Sequence, residues 1–63
     1  MAEKFEQQAV LFHMLVKKLG KSQRAVARLL ELDQRLFRAY VSGTKKAPER
    51  IRLALKALVM EST

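Results

Sequence analysis

Apolar residues recur at the three-and-four spacing of an α-helix in several stretches of this chain, and no stretch alternates with the period of two that a strand requires. From about Glu3 to Leu19, Phe5, Ala9, Phe12, Val16 and Leu19 fall on one helix face. Gly20 then stands where a left-handed C-terminal cap is wanted. Ser22 suits the N-cap of a short second helix ending near Leu30, with Val26, Leu29 and Leu30 as its apolar side. After Glu31 and Leu32, Asp33 caps a third helix over about Gln34 to Val41, which Gly43 stops. Pro48 fits the first turn of a last helix reaching about Met60, because its missing N–H would be unpaired there anyway. On that helix Ile51, Ala54, Leu55 and Leu58 make one stripe, and Leu53, Ala57 and Met60 make another on a different side. The expected fold is all-α: one domain over residues 1–63, with four helices, short connections and no internal repeat.

The third helix divides most sharply. Leu36, Phe37, Tyr40 and Val41 share one side, while Gln34, Arg35, Arg38, Ala39 and Ser42 share the other. Two short helices joined by about three residues need a small residue where they cross and apolar bridges between them. Ala27 supplies the first, and Val26, Leu30, Leu32, Phe37 and Tyr40 the second. The expected core is Phe12, Val16, Ala27, Leu30, Phe37, Tyr40, Leu55 and Leu58.

Length and charge narrow the picture. A chain of 63 residues buries only about 60% of its unfolded surface, so its stability is marginal without a supplement. With no cysteine and one histidine, neither a disulfide nor a zinc site can provide it, and self-association is the expected remedy. The formal charge of +7 speaks to partners and not to fold: nucleic acid, an anionic membrane surface or an acidic protein. A hydrophobic content of 49% argues against a disordered basic tail. No apolar run approaches the roughly 20 residues of a membrane span. Acids stand near the N-terminus where a signal peptide needs bases, so an intracellular protein is expected.

The outer side of the third helix holds no acid and no large apolar group. Its residue types are those that read base edges in the major groove: arginine on guanine, glutamine on adenine, alanine against a thymine methyl. Gln34, Arg35, Arg38 and Ala39 are thus candidate base contacts. Lys21, Ser22, Gln23, Ser42, Thr44, Lys45 and Lys46 are candidate phosphate contacts around them.

Ser22-Gln23-Arg24-Ala25-Val26-Ala27-Arg28-Leu29-Leu30, then Leu32-Asp33, then Phe37, Tyr40, Ser42 and Gly43, resemble the lambda-repressor and Cro family of helix-turn-helix regulators. Lys45-Lys46-Ala47-Pro48-Glu49, leading into an apolar helix, resembles compact phage and plasmid members, including repressors associated with anti-CRISPR operons. The resemblance covers roughly residues 15 to 58. It implies a homodimer on a two-fold operator in double-stranded DNA, repressing transcription in the cytoplasm of a bacterial or phage-infected cell, with no cofactor and no small-molecule ligand. It also implies that Gln23 bonds phosphate and braces the reading helix. Two positions depart from the pattern. Glu31 fills a turn position that usually holds glycine, where a left-handed backbone would cost about 1–2 kcal/mol. Tyr40 stands where tryptophan or an aliphatic residue is more frequent.

Plainer readings stand beside these. Lys21, Arg24 and Arg28 also read as a solvated face, Arg28 more so than Lys21, and His13, at the angle of Glu6 and Lys17, as a surface histidine. No catalytic arrangement is visible: the six acids are scattered, and Ser22 and Ser42 are explained by helix ends. A competing class is a cationic amphipathic protein acting on membranes or on a protein partner, as an antitoxin does. The second stripe of the last helix, Leu53, Ala57 and Met60, joined by Leu11 and Leu15 at the margin of the first helix, is the expected self-contact.

Overall fold

Four helices make up the computed structural model, which describes residues 5–62: α1 (Glu6–Leu19), α2 (Gln23–Leu29), α3 (Gln34–Ser42) and α4 (Glu49–Glu61). None of the described residues lies in a strand. α2 and α3 start at side-chain caps, and α1 and α3 stop at glycine. Ser22 Oγ accepts the Ala25 N–H at 3.1 Å, and Asp33 Oδ1 accepts the Arg35 N–H at 2.7 Å, so both expected side-chain caps form. Gly20 and Gly43 are left-handed, at φ +67° and +80°. In α1 an acid, Glu6, opens the helix while Lys17 and Lys18 close it, in the sense that suits the helix dipole.

The start of α1 differs from expectation. The helix begins at Glu6, not Glu3; Glu3 and Lys4 lie outside the described residues. Phe5 is not helical, at φ −89° and ψ 76°. Its N–H donates to the Gly43 carbonyl at 2.7 Å, and its own carbonyl accepts the Ala9 N–H at 2.9 Å. The entry to α1 is therefore tied to the exit from α3. Gly43 is needed twice over here, because a Cβ on it would stand 2.8 Å from the Phe5 carbonyl oxygen and 3.1 Å from Ala9 Cβ. Pro48 is likewise one step outside its helix, as the N-cap of α4.

The turn between α2 and α3 spans residues 30–33. It is a Schellman closure: the Leu32 N–H reaches back to the Ala27 carbonyl at 2.9 Å and the Glu31 N–H to the Arg28 carbonyl at 3.1 Å. That geometry demands a left-handed residue at position 31, and Glu31 adopts it at φ +57°. The glutamate takes the backbone role usually given to glycine.

α1 lies at the centre. α3 and α4 pack against α1, and α2 packs against α3. Phe12 sits at the junction, with its ring centroid 6.1 Å from that of Phe37 and 6.4 Å from that of Tyr40, the latter edge-on. Phe12, Phe37, Leu55, Val26 and Val41 are the largest fully buried side chains. Fully burying each of the larger ones contributes about 1.5–3 kcal/mol. Ala27, at 1% exposure, fills the close crossing as expected.

The expected core needs correction at its edges. Leu15, read as a marginal residue and part of a self-contact, is buried, and Val16 is only half-buried. On α4 Val59 takes the interior place assigned to Leu58, which is half-buried. Each is an exchange with the neighbouring position, while Phe12, Ile51 and Leu55 are buried. Leu30 lies half-buried against the core, as does Leu11. Ala47, read as part of a basic loop, is buried.

Candidate nucleic-acid interface

The two sides of α3 are separated in space as they are in sequence. Phe37, Tyr40 and Val41 are buried and Leu36 half-buried, while Gln34, Arg35, Arg38 and Ser42 are exposed. Ala39, the fourth expected base contact, is half-buried. The side chains of Gln34, Arg35 and Arg38 make no hydrogen bond or ion pair among the described residues. The one ion pair described joins Arg52 and Glu49 on α4, away from this face. Three long polar side chains thus project from a helix whose opposite side is locked into the core.

The flanking positions divide. Lys21, Ser22, Lys45 and Lys46 are exposed and Gln23 half-buried. Ser22 spends one hydroxyl lone pair on its cap. Ser42 and Thr44 are exposed, but their hydroxyls turn back onto the end of α3: each lies within reach of the Ala39 carbonyl, at 3.2 and 3.3 Å, and they stand 3.1 Å from one another. A hydroxyl has one proton to donate, so a phosphate contact from either must give up part of that closure.

Gln8 is the residue that sequence reasoning missed. Its Nε2 donates to the Tyr40 carbonyl at 2.9 Å and to the Lys45 carbonyl at 2.8 Å, and its Oε1 accepts the Ala47 N–H at 2.8 Å. One amide uses both donors and its acceptor to hold the end of α3 and the basic loop against α1. The three partners are 32 to 39 positions away, which is why no local pattern announced it.

Five of the expected residues, Ser22, Gln23, Gln34, Arg38 and Ser42, line one shallow depression where α1, α2 and α3 meet. His13, Arg24 and Val41 complete its wall. Lys46 is not with them; it lines a separate depression with Phe5, Gln8, Leu11, Glu49 and Arg52. Arg35, Ala39, Lys21, Thr44 and Lys45 line neither.

Charge follows the same geography. Nine of the thirteen Lys and Arg, but only two of the six acids, lie between positions 17 and 46. The excess there equals the net charge of the whole chain. Both acids, Glu31 and Asp33, sit in the turn between α2 and α3, where Asp33 is occupied as a cap.

Among the described residues no three His, Asp or Glu side chains gather as metal ligands, and no helix is long and apolar enough to cross a membrane. No family model, curated protein or solved structure matches the chain.

Proposed function

We propose that this protein binds double-stranded DNA in a sequence-specific manner and regulates transcription, acting as a dimeric repressor at a two-fold operator. The observation that carries the reading is the outer face of α3: Gln34, Arg35 and Arg38 exposed and unengaged on a helix whose other side is buried. A bidentate arginine on guanine or glutamine on adenine contributes about 1–3 kcal/mol of discrimination. Such contacts need a helix that does not shift, and α3 is held by its cap, by its glycine closure, by Gln8 and by the Phe5 N–H. The basic stretch around it supplies the sequence-independent attraction to phosphate.

The dimer follows from size. α3 has nine residues, a length of about 13 Å, and so faces about four base pairs at 3.4 Å each. That is too short a word to mark one site. A two-fold pair places two reading helices about 34 Å apart, in successive major grooves on one side of the duplex. Leu53 and Met60, 53% and 75% exposed, lie with exposed Ala57 on the outer face of α4, and this stripe is the proposed self-contact. Leu15 is no part of it, being buried.

Binding-site selection from random duplex DNA tests the reading. Enrichment of a motif with two related halves is expected. Selected pools that remain random overturn it.

A further inference from the structure

The depression where α1, α2 and α3 meet has a composition that reading bases does not explain. Arg24 of α2 and Arg38 of α3 line it together with His13 of α1, and no acid does. Neither arginine has an ion-pair partner among the described residues. A concave surface that carries guanidinium groups and no acid attracts an oxyanion, which Arg24 can pair while Arg38 reaches a base edge. The remaining wall, Ser22, Gln23, Gln34 and Ser42, supplies neutral hydrogen-bonding groups over buried Val41.

Resting on the duplex-DNA reading above, the geometry points to this depression as a phosphate site in which His13 is a ligand, so that protonation of its imidazole strengthens DNA binding. Oxyanion chemistry of this kind is met by a backbone phosphate of the duplex or by free phosphate. Arginine keeps its charge at all accessible pH, whereas an imidazole side chain gains one as pH falls from 8 to 5. The charged groups around His13 are Lys17 one turn along α1, Arg24 from α2 and Arg38 from α3. Glu6, two turns earlier on α1, lines the other depression instead. A bound phosphate favours the imidazolium, so affinity rises as pH falls, and the charged imidazole neutralises a phosphate that the neutral one does not.

The test titrates a mixed-sequence duplex into the wild type and His13→Gln across a salt series, at about pH 5.5 and about pH 8. For the wild type, affinity is expected to be about three- to tenfold higher at the lower pH. The slope of log K against log salt should steepen there by about 0.9 per added phosphate. His13→Gln should show neither change, and Arg24→Gln should lower affinity at both pH values. A His13→Gln protein that keeps the full pH dependence and the steeper slope overturns the site and leaves the DNA reading standing. If the duplex does not bind at all, the DNA reading itself falls. The site is then decided by titrating inorganic phosphate while following the His13 and Arg24 side-chain resonances by NMR. Resonances that move support a free-phosphate site, and resonances that stay fixed overturn it.

Discussion

Replacing Glu31 with glycine should make this protein more stable, although the side chain removed is exposed and charged. Glu31 holds a left-handed backbone, φ +57°, because the Schellman closure of α2 requires it there. An L-residue carries about 1–2 kcal/mol of strain in that region. Glycine removes the strain but adds freedom to the unfolded chain, which costs about 0.4–1 kcal/mol. At the midpoints of the two ranges the net gain is about 0.8 kcal/mol. At about 4–8 °C per kcal/mol for a domain of this size, Tm should rise by about 3–6 °C. Glu31→Gln separates backbone from charge, since it keeps the strain and removes the negative charge from a chain of net charge +7. Glu31→Ala removes the whole side chain beyond Cβ and keeps the strain. Thermal unfolding followed by circular dichroism, at one protein concentration for all four chains, should place Glu31→Gly highest and the other two variants at or below the wild type. A glycine variant that melts no higher than Glu31→Gln refutes the argument.

Gly20 and Gly43 share a left-handed backbone but not its surroundings, so Gly20→Ala, its strain partly offset by the lower entropy of the unfolded chain, should cost about 0.5–1 kcal/mol. Gly43→Ala, whose Cβ meets the Phe5 carbonyl oxygen at 2.8 Å, should cost clearly more; equal losses in urea unfolding would contradict the described contact. Gln8→Glu should destabilise more than Gln8→Ala, because a carboxylate cannot donate to the Tyr40 and Lys45 carbonyls, and the alanine variant should lose about 1.5–3 kcal/mol. Arg35→Ala and Arg38→Ala should each weaken specific binding by about 1–3 kcal/mol and relax preference at particular base pairs, whereas Lys45→Ala should weaken all sequences about equally; uniform losses from all three would displace the reading helix from α3. Leu53→Glu should give a monomer in sedimentation; an unchanged dimer, or a wild type that is monomeric both free and on DNA, would remove the α4 self-contact.

How much of this was readable from the chain depended on how far each signal reaches. Ser22, Asp33, Gly20 and Gly43 act within a few residues of themselves, and each forms the terminator its residue type suggests. α3 was legible as a two-sided helix because its polar and apolar residues differ sharply from side to side. α1 was not, since Leu11, Leu15, Val16 and Leu19 spread apolar surface over a wide arc, and which of them points inward depends on where α4 lies. Leu15 in place of Val16 and Val59 in place of Leu58 are one-position changes, backward on α1 and forward on α4, in two helices that pack together. Gln8, Ala47 and the assembly of His13 with Arg24 and Arg38 were invisible for one reason: each is created by tertiary contact between distant segments.

The placement of those contacts bears on the proposed function. A domain this small has few interactions to distribute, and a disproportionate share of the long-range hydrogen bonds converges on the end of α3 and the loop after it. Gln8 bonds Tyr40, Lys45 and Ala47, and the Phe5 N–H bonds Gly43. The start of α4, by contrast, is a proline cap without a side-chain bond. If α3 were merely one packed helix among four, its buried Phe37, Tyr40 and Val41 would suffice to hold it. Hydrogen bonds fix rotation and axial position, which apolar packing fixes less sharply. A helix that must present Gln34, Arg35 and Arg38 to base edges needs both, because a shift of about 1 Å spoils bidentate geometry. The bracing of α3 is what the proposed base contacts would require of it.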